Sequence, residues 1–244
     1  MRCPNPNCSR YNVSGYDATY CGECGTQLVE DILHYKVDNG VLYTEDRMSG
    51  RIDIPSQIAG QMITDIGESA FRGCTGLKSV TIPNTVKSIG KMAFQNCSSL
   101  ESVTIPKSVT TIEKYAFDGC EMLQEIRIPN SVKLIDDYAF QRCEKLLKIV
   151  IPSSVTTIGD YAFFECDELN TIILGDSVAS IGERAFEGCC NMGKITIPKS
   201  VQTIGKGAFY RCEKLRVVFL KGLFKRRLLE KTGVADGVRK IFIP

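Results

Sequence analysis

Twelve cysteines stand in this 244-residue chain, and they fall into two sets. Cys3, Cys8, Cys21 and Cys24 crowd the first 24 residues. Cys74, Cys97, Cys120, Cys143, Cys166, Cys189 and Cys212 follow at a constant spacing of 23, and only Cys190 lies outside both sets. In the first set, Cys3-x4-Cys8 and Cys21-x2-Cys24 are close pairs separated by 12 residues. Thiolates so arranged can converge on one tetrahedral Zn²⁺, with the two short loops as knuckles. A pair of disulfides is the alternative. The close pairing suits a metal better, and the amino terminus "MRCPNPNCSR" carries no apolar stretch for export. Four Cys ligands leave no open coordination position, so the zinc is expected to be structural. About 28 residues are too few for a self-sufficient core, which couples metal binding to folding.

The other chemistry-bearing residues offer less. His34 is the only histidine and has no general acid–base partner near it in sequence, so a structural or solvated role is expected. Cys190 reads as a loop thiol. Asn12-Val13-Ser14 and Asn96-Cys97-Ser98 fit glycosylation sequons, which without export are chance matches. No phosphate loop, nucleophile–base motif or catalytic metal set is present, so the expectation is no enzyme activity. Net charge is +2, from 30 basic and 28 acidic residues, which gives no general argument for nucleic acid or anionic membrane. Lys221, Lys225, Arg226, Arg227 and Lys231 do form a local basic cluster, and the first 28 residues hold Arg2 and Arg10. Nucleic-acid binding through these is the third-ranked reading. No apolar run approaches a membrane span. A cytoplasmic location is expected, with the cell surface as the alternative.

The constant spacing of the second cysteine set is the signature of a solenoid. Ile82-Pro83, Ile105-Pro106, Ile128-Pro129, Ile151-Pro152 and Ile197-Pro198 return on the same period. So does Ala-Phe, seven times from Ala70-Phe71 to Ala208-Phe209. Leu100-x-x-Val103-x-Ile105 reads as a leucine-rich-repeat strand, its apolar residues alternating with polar ones, and Pro106 ends it. Val109, Ile112, Ala116 and Phe117 then have the spacing of a short helix facing the core. Gly67, Gly90, Gly159, Gly182 and Gly205 follow the outer Ile, while Glu113 and Asp136 take that place in two units. A positive φ is therefore not obligatory there. Each ladder cysteine lies three residues after Phe on the inner side, where a small buried hydrophobe is expected, not a reactive thiol.

The recurring "IPxSVxxIGxxAFxxCxxLxxI" unit resembles the BspA-like leucine-rich repeat family, closely over residues 50–220 and loosely over the last 24. The resemblance implies a solenoid with a short parallel β-sheet on one side and short helices or turns on the other. It also implies binding to other proteins. The first residues are similar to the zinc-ribbon modules of microbial proteins, although "CPNPNC" is two residues longer than the usual knuckle. The expected organisation is a zinc ribbon over 1–28 and a capping hairpin with the first rung over 32–55. Repeats follow over 56–220, then a degenerate terminal repeat with a helix over 221–244. Asn39-Gly40 between alternating apolar residues predicts a primed turn. Nine strands predict a stack of roughly 40 Å.

A partner would meet the outward residues of the sheet. That row runs Asp53, Thr81, Thr104, Arg127, Val150, Ile173, Thr196, Phe219, Phe242. With Val217 from the neighbouring row, Val150, Ile173, Phe219 and Phe242 gather apolar surface toward the carboxy-terminal half, a candidate protein-binding patch. Strand propensity is the alternative account. The last strand, Lys240 to Ile243, is expected to offer a free edge through which a homodimer could form. The leading function is a non-enzymatic protein–protein interaction scaffold; a surface adhesin of the same family is the alternative.

Overall fold

The computed structural model describes residues 35–44 and 47–221, together with Leu229, 232–234 and 238–243. Each 23-residue unit forms one coil. The coil contributes one strand, or rung, to a sheet on one side of the molecule and a two-residue strand to the opposite wall. The nine rungs are Ser49–Asp53, Gly76–Thr81, Ser102–Thr104, Glu125–Ile126, Lys148–Val150, Thr171–Ile173, Lys194–Ile197, Val217–Lys221 and Arg239–Ile243. Rungs one to six make one parallel sheet and rungs seven to nine another. The pairing keeps the period: Val80 faces Val103, Ile149 faces Ile172, and Ile195 faces Val218. These inward residues are all buried, forming one continuous core.

The last rung departs from the period. Phe219 pairs with Ile241 and Leu220 with Phe242, one residue short of the 23-residue spacing that sets Phe242 beside Phe219. The first coil is longer, with Ile54 28 residues before Ile82, and it holds a small hairpin, Gln57–Ile58 with Gln61–Met62, turned by Ala59 and Gly60 at φ 49° and 82°.

The opposite wall is not helical. The segment with helix-like spacing, Val109 to Phe117, holds the two-residue strand Thr111–Ile112 followed by turns. Its neighbours Ser88–Ile89 and Leu134–Ile135 pair with it in parallel, and the series continues as a nine-stranded sheet. The helical spacing is met by the corners of the coil. Two corner residues per coil are left-handed: Ser69, Met92, Tyr115, Tyr138, Tyr161 and Arg184 have φ of 50–60°, and Gly73, Asn96, Gly119, Arg142, Glu165 and Gly188, four residues on, have φ of 54–76°. A non-glycine residue there costs of order 1–2 kcal/mol. The conformation aims its N–H at the next coil, as from Tyr138 to the Asp160 carbonyl at 2.8 Å and from Tyr161 to Glu183 at 2.8 Å. Successive coils are thereby joined at a point that a helix would leave unconnected.

The glycines after the outer Ile are not left-handed, as the sequence led one to expect. They are required by close approach. A Cβ on Gly182 would stand 2.5 Å from the Asp160 nitrogen, and one on Gly205 2.3 Å from Glu183. At these glycines the N–H to carbonyl distance between coils is 2.7–2.9 Å; at Glu113 it is 3.0 Å and at Asp136 3.4 Å.

Seven phenylalanines, Phe71 to Phe209, stack down the core at 4.9–5.9 Å with planes within 7° of parallel. The strand repeat of about 4.8 Å sets that distance. The predicted hairpin caps the start. Tyr35–Asp38 pairs antiparallel with Val41–Thr44, and Asn39 and Gly40 both take positive φ, as a type I′ turn requires. The Tyr35 ring meets Phe71 edge-on at 6.4 Å and seals that end of the stack.

A candidate partner-binding face

Four of the five residues singled out for the sheet face reach the described surface in different degrees, and the fifth lies out of line. Val150 is 43% exposed and Ile173 49%, and the two are directly paired across rungs five and six. Val217 and Phe219 on rung eight are half-buried, opposite Lys194 and Thr196. Phe242 is 56% exposed, but the shifted register sets it beside Leu220. Val150 and Ile173 are therefore the compact centre of the patch. The zinc-ligand candidates Cys3, Cys8, Cys21 and Cys24 lie outside the described residues, as do His34, Lys225, Arg226, Arg227 and Lys231. Lys221 is described and pairs with Asp176 at 3.3 Å. The predicted helix of the terminal segment also falls largely outside them.

The ladder cysteines are core residues. Each thiol from Cys97 to Cys212 donates to the carbonyl of the phenylalanine 26 residues earlier, at 3.0–3.4 Å. Burial pushes every ladder thiol above its ordinary pKa, Cys212 to about 12. Such thiols stay protonated and unreactive at neutral pH. Among the described residues, no group of three or more His, Cys, Asp or Glu is arranged to hold a metal ion. No described helix is long and apolar enough to cross a membrane.

The sheet face also carries a feature that the strand pattern concealed. The N–H groups of Ile54, Ile82 and Ile151 each bond to the next rung, at 3.0, 3.1 and 2.8 Å. The equivalent bonds from Ile105 to Arg127 and from Ile128 to Val150 are not formed, and rung four shrinks to Glu125–Ile126. Two clefts of about 590 and 780 Å³ flank Arg127, sharing Val103, Ile128 and Asn130 in their walls. The departures from the glycine column do not account for it as a set: Glu113 lies at the step between rungs two and three, where the Ile82 bond is formed, and Gly159 at the step between rungs four and five, where the Ile128 bond is missing. The widest step on the opposite wall, at Asp136, separates the coils of rungs three and four.

The BspA type leucine rich repeat region matches residues 50–154 and 133–226 in six copies. The chain belongs to this family. Among solved structures, it is 28% identical to a leucine rich repeat protein of T. pallidum, covering 86% of this chain and 98% of that one with a TM-score of 0.72. It is 32% identical to a leucine rich cell surface protein of Faecalibacterium prausnitzii A2-165, with a TM-score of 0.67. That match covers 87% of this chain but 56% of the other, so the chain spans little more than half of that relative. A leucine-rich repeat protein from Bacteroides ovatus, 24% identical with a TM-score of 0.63, shares the fold over 85% of this chain and 76% of its own. No curated protein matches the chain.

Proposed function

We propose that the chain is a non-enzymatic protein-binding scaffold whose sheet face, centred on Val150 and Ile173, is the contact surface. The observation carrying this reading is the pairing of those two exposed apolar residues on adjacent rungs of a rigid repeat. Val217, Phe219 and Phe242 extend the surface toward the last rung. Strand propensity alone does not require neighbouring rungs to expose apolar side chains where Thr81 and Thr104 stand earlier in the same row. Val150→Asp with Ile173→Asp should abolish capture of partner protein while circular dichroism and melting temperature stay near wild type. Capture that survives in the folded double variant would refute the site.

A second reading, a surface adhesin, is favoured by one observation: the F. prausnitzii relative is a cell surface protein. Fractionation of the native cells with thiol labelling separates the two. Labelled Cys3, Cys8, Cys21 and Cys24 in a cytoplasmic fraction would support the intracellular scaffold. Protein at the surface would support the adhesin and reopen disulfides among those four. In the scaffold reading they hold one structural zinc, a proposal supported by their spacing. Metal analysis should find one equivalent, lost in Cys21→Ser with Cys24→Ser. Nucleic-acid binding through the basic segment would need steeply salt-dependent affinity for DNA. A homodimer through rung nine would need a mass that doubles with concentration.

A further inference from the structure

The opened ladder around Arg127 places four kinds of group in one recess. The Ile105 and Ile128 N–H groups and the Arg127 and Val150 carbonyls lack the rung-to-rung bonds that Ile54, Ile82 and Ile151 make, as does Leu174 where the sheet breaks after rung six. An extended chain alternates the same donors and acceptors. Arg127 is exposed and makes no ion pair or side-chain hydrogen bond among the described residues, whereas Arg142, Arg184 and Arg211 each face a carboxylate within 4 Å. Lys148 lines one cleft and Lys107 the other, against the single carboxylate of Glu125. Val150, at the centre of the apolar patch, also lines the first cleft.

We propose that this recess seats an acidic side chain of an extended peptide segment, its carboxylate forked by the Arg127 guanidinium. The proposal rests on the reading of the sheet face as protein-binding and adds the chemistry of the partner. A guanidinium holds a carboxylate through two parallel bonds, and partial enclosure strengthens them. Glu125 inside the recess, paired in register with Lys148, sets the limit. It offsets one of the three positive charges of Arg127, Lys107 and Lys148, so the recess suits a single carboxylate, and a nucleic acid or a sulfated glycan is the competing ligand that the test separates. The bound segment continues over Val150 and Ile173, so it carries an apolar residue next to the acidic one.

The test is a titration of the isotopically labelled full chain, followed by the backbone amides. The probe is a blocked Val-Thr-Glu-Val-Thr peptide, with its Gln counterpart and a heparin oligosaccharide as comparisons. The Glu peptide should shift Ile105 and Ile128. Replacing Glu by Gln, or Arg127 by Gln in the protein, should weaken binding about tenfold to a hundredfold, the value of a hydrogen-bonded charge pair. Arg127 is exposed, so Arg127→Gln leaves the core intact. Equal binding by the Gln peptide or by Arg127→Gln overturns the proposal. So does heparin shifting these amides where the peptide does not. Shifts at Val150 and Ile173 alone would overturn it and leave the apolar-face reading standing. No shift at all also overturns it, and the face reading is then judged by capture with Val150→Asp and Ile173→Asp.

Discussion

The Cys143 thiol donates to the Phe117 carbonyl across one coil at 3.3 Å, while the Cys120 N–H reaches the same oxygen at 3.2 Å. One carbonyl thus uses both lone pairs, and the cysteine both fills the core and joins two coils. Cys143→Ala removes a small buried group and a weak hydrogen bond. It should cost about 1–2 kcal/mol in urea unfolding. In native protein, a thiol reagent should modify Cys190 first among residues 74–212 and leave the seven ladder thiols unmodified until unfolding. Rapid native labelling of Cys143 would contradict the packing described.

The same burial predicts an alkaline limit to stability. Unfolded thiols ionise near their ordinary value of 9.0, while the folded ladder thiols hold their protons to higher pH. Above that point the folded state binds more protons than the unfolded one. The ladder's contribution is complete below pH about 9 and is lost as pH rises beyond it, the loss from Cys212 ending where its folded thiol ionises, at about 12. Melting temperature should therefore fall more steeply above pH 9 in the wild type than in a Cys143→Ala, Cys166→Ala variant. Parallel slopes would show that the thiols carry no pH dependence.

Two substitutions in the glycine column should differ in cost. Gly182→Ala forces a Cβ to within 2.5 Å of the Asp160 backbone and should cost about 1–3 kcal/mol. Asp136→Gly removes a side chain from the step where the N–H to carbonyl distance is longest, 3.4 Å. It should leave stability within about 1 kcal/mol of wild type, because closer coils offset the glycine's backbone entropy. Denaturant midpoints check both, and a neutral Gly182→Ala would refute the close-approach account.

Asp118 links three coils. Its buried carboxylate accepts from Arg142 at 2.9 Å and from Gln95 Nε2 at 2.8 Å. Arg142→Ala strands that charge with one neutral donor. The cost should be about 1–3 kcal/mol, discounted because the Arg142 side chain is 44% exposed. Arg142→Lys should recover only part, since an ammonium cannot replace the fork. A fully stable Arg142→Ala would mean that solvent reaches Asp118.

The rungs were legible in the sequence because apolar alternation and Ile-Pro report a local constraint repeated every 23 residues. The buried cysteine and the Asn39-Gly40 turn were legible for the same reason. The corners were not. Tyr115, Tyr138 and Tyr161 are left-handed only because the next coil offers a carbonyl there, and spacing in one coil cannot reveal a bond to another. Val109, Ile112 and Ala116 therefore resembled a helix. Likewise Arg127 looked like any outward residue of its row. The recess beside it depends on bonds missing from Ile105 and Ile128, which follow from how coils step, not from residue type. Phe242 was placed by counting, and one residue of slip moved it beside Leu220.

The 23-residue register of the interior coils has a genetic consequence. A recombination event that duplicates or deletes the DNA for one whole unit leaves every remaining phenylalanine, thiol and rung opposite an equivalent neighbour. The number of coils can therefore drift without loss of foldability. A coil gained or lost between Arg127 and Phe219 would change the distance between them by one strand spacing. Selection acting through a bound partner would register that change, while selection acting only on stability would tolerate it.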